Sequence, residues 1–317
     1  MRKILPIEWL ALIAFAIALL LVGVTKVDFF YPDLGAISFT ASHYLGPMVP
    51  ALVLPLFAGM AYRILRQPNP SSEFGMAFFQ RSRQTLALAL IVLVHFNFKL
   101  WAQLLNPNRY DDVYQRIDTH FNVLLGIIDK ANLFLATVLH LWPNAYHDIF
   151  VAMFIASFAL HAIQTRTWIF DRVLFAVALV LIIGGLSYAI APAWGPFIYG
   201  EGSNVFATEV QTHMIQFQRS LLASSGSSFS PKYFIAAVAA MPSLHIAHVM
   251  VLLWFAFRYI PVLGIAYLVP STFLVTEAIA SRWHYLADLP AGFLVAAVCI
   301  LLSNVLIPNI DNQRVKR

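Results

Sequence analysis

The stretch that decides the fold is "IEWLALIAFAIALLLVGV", residues 7–24, in which one glutamate interrupts an otherwise apolar run. A run of this length is long enough to cross the hydrocarbon core of a bilayer as a helix. It is also longer than the apolar region of a secretory signal peptide, and no small-residue cleavage site follows it. We therefore interpret it as a retained membrane span.

The rest of the chain has the same character. Of its 317 residues, 60% are hydrophobic and 11% are charged, whereas about a quarter are charged in a typical soluble protein. At about 20 apolar residues per span, the sequence predicts an all-α fold, a polytopic membrane helix bundle with about eight transmembrane helices. The predicted spans lie near residues 6–25, 44–65, 84–105, 147–165, 172–192, 243–260, 262–281 and 286–307.

The composition also limits the partners and cofactors. The single cysteine, Cys299, lies inside the last predicted span, so we expect no disulfide framework and no cysteine-based metal site. The sequence "HIAH", residues 245–248, has no acidic third ligand nearby, so we expect no metal and no cofactor. The pI is near 9.3, but the basic residues are divided among short loops. A nucleic-acid partner is therefore not expected.

Charge predicts the orientation in the membrane. With the N-terminus inside, twelve of the 20 lysines and arginines fall in cytoplasmic segments, seven in outer segments and one, Lys99, in a span. The bias is carried by short loops, where the positive-inside rule works best. We expect a bacterial inner membrane, both termini in the cytoplasm and the long segments 106–146 and 193–240 outside. The cytoplasmic set is Arg2, Lys3, Arg63, Arg66, Arg81, Arg83, Arg166, Arg172, Arg258, Arg314, Lys316 and Arg317.

Segment 106–146 contains an amphipathic part that resembles a span in length. Asp129 and Lys130 lie in its middle, where charged side chains would be costly in the bilayer. We therefore predict a helix along the membrane interface and no ninth span.

The polar residues that could take part in catalysis are predicted to lie together at the outer face. In "SRWHYLADLPAG", residues 281–292, His284 and Asp288 are four apart and so about one helical turn apart. A carboxylate bonded to one ring nitrogen fixes the tautomer and leaves the other nitrogen basic, as a nucleophilic histidine requires. In "AAMPSLHIAHVM", residues 239–250, His245 is placed at the outer start of the sixth span. Two histidines distant in sequence are thus expected at one membrane face.

With "MPSLH" followed by "HYLAD", the chain resembles the type 2 phosphatidic acid phosphatase (PAP2) superfamily. The form of the motifs is most similar to the branch that includes inositol phosphorylceramide synthase. The resemblance covers roughly residues 110–305 and implies a six-helix catalytic core. It predicts N-terminal transmembrane helices over 1–105, a catalytic membrane domain over 106–310 and a cytoplasmic tail over 311–317.

The resemblance also implies roles for individual residues. His284 would attack phosphorus and become a phosphohistidine, and Asp288 would orient its ring. His245 would protonate the leaving alcohol, and Ser243 would help to hold the phosphate. A neutral imidazole nucleophile and a positioned acid suit a phosphate ester, whose oxygens are negative and whose leaving group is poor.

The chain departs from the family pattern at the phosphate ligands. The phosphatase form of the later motif carries Ser-Arg where this chain has Glu277 and Ala278, and the earlier Lys and Arg-Pro motif has no recognisable counterpart. In its place, "APAWGPFIYG", residues 191–200, resembles the synthase-like branch. Backbone N–H groups near Gly195 are expected to assist in phosphate binding. The side-chain candidates for phosphate binding, in order, are Arg282, Lys232, Arg219 and Lys99.

Two further polar residues have open interpretations. Glu277 lies two turns from His284 on the same face, where it is either a member of the pocket or half of a buried ion pair with Lys99. His248, one turn inward of His245, is either a packing residue or a partner behind the catalytic groups.

These features predict an integral-membrane enzyme that takes a phosphoryl or substituted phosphoryl group from a lipid phosphate ester through a phosphohistidine. The acceptor is a lipid alcohol, which makes it a phosphotransferase, or water, which makes it a phosphatase. The departures from the phosphatase motif favour transfer. The alternative from another class is a proton-coupled transporter that uses histidines and the Glu277–Lys99 pair, although the paired broken helices typical of transporters are not recognisable. A non-catalytic scaffold is disfavoured because His245, His284 and Asp288 are all present.

Overall fold

The computed structural model describes residues 4–54, 57, 71–164, 166–227 and 229–309, and for residues 71–77 it describes the backbone only. Within these ranges the chain is helical and contains no strand. The helices are α1 (Pro6–Thr25), α2 (Leu34–Thr40), α3 (Met48–Leu54), α4 (Ser71–Leu105), α5 (Asp111–His120), α6 (Asn122–Val138), α7 (Ala145–Ala162), α8 (Thr167–Ser187), α9 (Val205–Ala223), α10 (Leu244–Tyr259), α11 (Pro261–Ala280) and α12 (Asp288–Leu306).

Six of these helices are long and apolar enough to cross a membrane: α1, α4, α7, α8, α11 and α12. Helix α10 is apolar but has only 16 residues. The count of candidate spans rises to eight if each of two bent helix pairs is one span, α2 with α3 and α5 with α6. The predicted polytopic helix bundle is therefore confirmed. Of the predicted second span, 44–65, only 44–54 and 57 are described.

One end of the bundle is joined by ion pairs that connect α4 with the starts of α1 and α8. Arg83 of α4 donates to Glu8 of α1 with an N–O distance of 2.7 Å. Arg81 binds Asp171 near the start of α8 with an N–O distance of 3.0 Å. The part of α4 around 81–83 thus lies beside the starts of α1 and α8 at this end, which we call the basic end. The predicted cytoplasmic residues of the termini and of 63–66 lie outside the described residues.

The other end brings together the ends of the same three helices. Trp101 near the end of α4 donates from Nε1 to the Asp28 carbonyl after α1, at 2.8 Å. Asn106, just after α4, donates to the Ala189 carbonyl after α8, at 2.9 Å. Both α1 and α4 therefore run towards this end. We call it the site end, because His284 lies here.

Helices α5 and α6 begin and finish at the site end. Asp111, the first residue of α5, contacts the segment that follows α8. After α6, the Pro143 carbonyl accepts a bond from Asn204 at the start of α9. The two helices meet at an angle of 85°, and the chain leaves α4 and enters α7 at the same end. The chain thus returns to the end from which it entered α5, and the absence of a ninth span stays a prediction. The position of α5 and α6 along the membrane interface also stays a prediction.

Two glycines allow close packing around the start of α10. A Cβ atom at Gly292 of α12 would lie 2.6 Å from the Ser243 carbonyl oxygen, and one at Gly184 of α8 would lie 2.2 Å from the Leu244 side chain. Small residues of this kind let membrane helices approach one another closely. Helices α8 and α12 therefore press directly against the turn that carries His245.

Candidate active site

The His284 ring is held by two acceptors on one nitrogen. Its Nδ1 lies 2.9 Å from the Ala240 carbonyl oxygen and 3.1 Å from Oδ2 of Asp288. A carbonyl oxygen can only accept a hydrogen bond, so Nδ1 carries the proton and Nε2 keeps its lone pair. Asp288 is fully buried and begins α12, whereas His284 lies in the turn before it. The pair thus straddles the start of the last span, as the sequence predicts.

Three carboxylates hold the turn that carries His284. Asp288 accepts from the Tyr285 N–H at 2.9 Å, Asp111 accepts from the Tyr285 hydroxyl at 2.9 Å, and Asp118 accepts from the Leu286 N–H at 3.0 Å. Burial and the charge of Asp111 raise the pKa of Tyr285, so its hydroxyl remains a donor. Burial also raises the pKa of Asp118, to about 6, against the opposing effect of the Leu286 N–H. The turn is therefore fixed from α5 as well as from α12.

Asp111 also organises the segment after α8. The N–H groups of Trp194 and Gly195 both donate to Oδ1 of Asp111, at 2.9 and 3.0 Å. Gly195 has φ +127°, and a Cβ there would lie 2.9 Å from the Trp283 carbonyl oxygen, so the position requires glycine. The expectation that these N–H groups hold phosphate is wrong, because an internal carboxylate already binds them.

His245 faces His284 across the site. The centres of the two rings are 6.4 Å apart. The His245 ring also contacts Phe150 of α7, with ring centres 4.6 Å apart. Ser243 caps α10: its Oγ accepts from the Ile246 N–H at 3.4 Å, and its own N–H donates to the Asp288 carbonyl at 3.3 Å. The first motif is thus bonded directly to the second.

Two cavities meet at His284. The charged cavity, of about 910 Å³, is lined by Asp118, Arg282 and residues of α6, α9 and α11. The aromatic cavity, of about 620 Å³, is lined by many rings, including those of α4 and α7, by aliphatic side chains of α8, and by Lys99 and His245. The nucleophile candidate therefore borders both cavities.

A protein-family model described as "PAP2 superfamily" matches residues 119–302, which is more than half of the chain. This chain belongs to the PAP2 superfamily. No curated protein and no solved structure matches it significantly. Membership supports an enzyme of the phosphatase or phosphotransferase type that acts on lipid phosphates. The matched region contains both histidines and Asp288 but begins one residue after Asp118.

The predicted phosphate ligands of this PAP2 protein separate into two groups. Arg282 lines the charged cavity together with His284, and its buried Nε has no hydrogen-bond partner among the described residues. Lys99 lines the aromatic cavity. Lys232 and Arg219 are exposed, line neither cavity and lie over the rings of Tyr233 and Trp194, respectively. The structure therefore does not bring Lys232 or Arg219 into the site.

Glu277 is held by neutral donors. Its carboxylate accepts from Nδ2 of Asn132 at 2.9 Å, from Nδ2 of Asn204 at 2.9 Å and from the Ser281 hydroxyl. Over the described ranges it forms no ion pair with Lys99, so of the two interpretations the ion pair is wrong, whereas Glu277 does line both cavities. Glu277 instead ties α6 and the start of α9 to α11.

His248 has a packing role. Its Nδ1 lies 2.8 Å from the Leu244 carbonyl oxygen and its Nε2 lies 3.3 Å from that of Val177. Both ring nitrogens thus face backbone acceptors on α10 and α8, which makes His248 a link between these helices.

Sequence analysis missed Asp111 and Asp118. The two are seven residues apart, or about two helical turns, so they share one face of α5. This spacing could have indicated a helix with both carboxylates on one face, in a segment that was interpreted as a polar loop. Nothing local identified their partners, which lie in the segments after α8 and before α12.

Arg282 is the strongest candidate for binding the phosphoryl oxygens of the PAP2 substrate. We expect Arg282→Asn to lower kcat/KM by about 10²- to 10³-fold, the range for loss of one donor to a developing negative charge. Asparagine suits the left-handed backbone at this position, where φ is +58°. The measurement is steady-state turnover of a lipid phosphate, with Arg219→Asn as the control of unchanged activity. Wild-type kinetics in Arg282→Asn would move the phosphate to Lys99.

Proposed function

We propose that this protein transfers a phosphoryl or substituted phosphoryl group from a lipid phosphate ester to a lipid alcohol, through a phosphohistidine at His284. The observation that carries the proposal is the double restraint on Nδ1 of His284, by the Ala240 carbonyl and Asp288, at the junction of two cavities. It leaves Nε2 as an unprotonated nucleophile in a position that substrates can reach from two directions.

In the first half of the reaction, Nε2 of His284 attacks phosphorus. The bond between phosphorus and the leaving alcohol breaks, and His245 supplies the proton that the alkoxide needs. The positive charge that forms on the His284 ring is stabilised by buried Asp288, which accepts from Nδ1. Arg282 neutralises the phosphoryl oxygens from the charged cavity.

In the second half, an acceptor hydroxyl attacks the phosphohistidine. His245 now removes the proton from that hydroxyl, the new P–O bond forms and the P–N bond breaks, so that His284 is regenerated. The aromatic cavity supports a lipid alcohol as the acceptor, because it reaches both histidines and buries hydrocarbon favourably. The absence of the phosphatase Ser-Arg pair at Glu277 and Ala278 supports the same choice.

The test is a comparison of products. The purified full chain in lipid nanodiscs is incubated with a lipid phosphate donor, with and without diacylglycerol or ceramide as acceptor. We expect a new phosphorylated lipid to form only when the acceptor is present, in excess over water-soluble phosphate or phosphorylated headgroup. Release of the soluble product at the same rate with or without acceptor would make the enzyme a phosphatase. No turnover of any lipid phosphate would remove the proposal.

We further propose that the site end faces the periplasm or another extracytoplasmic space, with both chain termini in the cytoplasm. The support is the basic end, where Arg81 and Arg83 lie in the first half of α4, Arg172 lies in the second turn of α8 and Arg258 lies in the last turn of α10. Positive residues of this kind remain on the cytoplasmic side during insertion.

A cysteine at exposed Ser227, introduced into a Cys299→Ser background, reports the orientation. In intact cells, with any outer membrane permeabilised, it should react with a membrane-impermeant maleimide. The matched control is Thr167→Cys at the basic end, which should react only after the inner membrane is broken. The reverse pattern would invert the topology and assign the substrate to the cytoplasmic leaflet.

A further inference from the structure

The charged cavity beside His284 has a surplus of negative charge. Besides Glu277, whose carboxylate is occupied by neutral donors, its lining holds four carboxylates and only two cationic groups. A phosphate monoester, or a phosphodiester with an uncharged headgroup, would bring only further negative charge into this space. The lining therefore complements a ligand that also carries a positive group. The four carboxylates are those of Asp118, Asp129, Glu201 and Glu209, and the cations are Lys130 and Arg282.

Asp118 contributes most to this surplus. It is 4% exposed, whereas the other three carboxylates are exposed and their charges are screened by salt. Its Oδ1 accepts from the Leu286 N–H at 3.0 Å. Its Oδ2 makes no hydrogen bond within the described ranges. Asp118 is thus a buried carboxylate with one free oxygen, and it lines the cavity. It bonds to Leu286, which is two residues after His284 in the same turn.

Aromatic rings give a second, independent indication of a positive ligand. Trp142, Tyr146 and Phe206 line the same cavity as Asp118. The faces of such rings attract ammonium groups, and quaternary ammonium groups in particular bind among several rings. The buried Nε of Arg282, which lacks a partner in the described part of the chain, supplies the complementary donor for a phosphate. One cavity thus offers separate places for a negative and a positive group.

We propose that the charged cavity receives a lipid phosphodiester whose headgroup carries an ammonium group, with the phosphate beside Arg282 and His284 and the ammonium beside Asp118. This inference rests on the proposed function for the chemistry that follows binding. Asp118 is a specificity-determining residue in this arrangement, because it contacts the part of the headgroup that does not react.

The chemistry is that of the two half-reactions above, with the headgroup retained on phosphorus. The bond from phosphorus to the diacylglycerol oxygen breaks as the P–Nε2 bond to His284 forms, and diacylglycerol leaves with a proton from His245. The aminoalcohol phosphoryl group remains on His284 until an alcohol or water oxygen displaces it. The ammonium group is unchanged throughout and stays beside Asp118.

The test compares donors that differ only in headgroup. Choline, ethanolamine, inositol and glycerol phosphodiesters with identical acyl chains are presented to the full chain in nanodiscs, and kcat/KM for diacylglycerol release is measured. We expect the two ammonium donors to exceed the other two by about tenfold or more, the effect of roughly 1.4 kcal/mol of differential binding. Asp118→Asn should remove that preference, so that the ratio of kcat/KM between the ammonium donors and the other two falls to about one.

The variants are chosen to separate charge from structure. Asparagine at 118 retains an oxygen that accepts the Leu286 N–H, so the turn keeps its support while the charge is lost. The control is Asp112→Asn, also on α5, where an exposed carboxylate binds the Tyr199 hydroxyl and does not line the charged cavity. It should leave the ratio between donors unchanged. A wild-type preference for inositol or glycerol, or an equal loss on all donors in Asp118→Asn, would overturn the inference.

Binding gives a second measurement that does not depend on turnover. Short-chain choline and inositol phosphodiesters are titrated into the His284→Ala protein, and heat of binding is recorded. Tighter binding of the choline compound that is lost in the double variant with Asp118→Asn supports the inference even if no lipid is turned over. Equal affinities would overturn it, whereas absent turnover with preserved binding preference would remove only the proposed function.

Discussion

Replacing His284 by alanine should abolish turnover, with a loss of about 10⁴-fold or more, as found when a covalent nucleophile is removed. His248 cannot replace the imidazole, because its ring nitrogens face the carbonyl oxygens of Leu244 and Val177. With a radiolabelled donor, the wild-type protein should carry an acid-labile label on quenching, and the His284→Ala protein should carry none.

The companion variant Asp288→Asn tests the restraint on the ring. It should retain a small fraction of the activity, because the Ala240 carbonyl still accepts from Nδ1 but an amide cannot neutralise the imidazolium. The control is His120→Ala, where an exposed histidine at the end of α5 lies outside both cavities and activity should be unchanged. Near wild-type turnover in His284→Ala would show that another group attacks phosphorus.

The second large effect is expected for His245→Ala. The loss should be about 10²- to 10⁴-fold for lipid donors, the range for removal of a general acid. It should be much smaller for a nitrophenyl phosphodiester, whose leaving group needs no proton. Label transfer to the protein is measured in a single turnover with each donor, and the ratio of the two losses of rate is compared. An equal loss for both leaving groups would assign His245 a structural role through its contacts with Phe150 and Tyr146.

The membrane spans were predictable because their signal is local. A continuous apolar run such as 7–24 has few ways to fold in a bilayer other than as a helix. The contact between His284 and Asp288 was predictable for the same reason, since four residues of separation place them within one turn. In both examples the sequence distance is short and the physical requirement is strong.

The phosphate ligands were not predictable in the same way. Lys232 and Arg219 lie in the long segment, predicted to be outside, that precedes "MPSLH", and charge alone made them candidates. In the structure their side chains lie over Tyr233 and Trp194 on the exposed surface. Which cationic side chains line a cavity depends on how the long segments between the helices fold over the bundle. This is a tertiary property, and spacing along the sequence does not predict it.

Glu277 gives the converse example. Its sequence position suggested a costly buried charge in need of a cation, and Lys99 was the available one. Three neutral donors from α6, the start of α9 and α11 satisfy the carboxylate instead. Asn132 is 145 residues from Glu277 along the chain, so the contact that answers the question could be found only in three dimensions.

The hydrogen bond from His284 to the Ala240 carbonyl gives the main chain a part in positioning the ring. The side chain at 240 has no share in this contact. A different small side chain at position 240 would leave the backbone carbonyl in place, and the carbonyl would still accept a hydrogen bond from the imidazole. The number of residues between that carbonyl and His245 is more restricted, because one inserted residue would move the acceptor away while the histidine stayed on its helix. The spacing between residues 240 and 245 is therefore a requirement that the identities of the residues do not show.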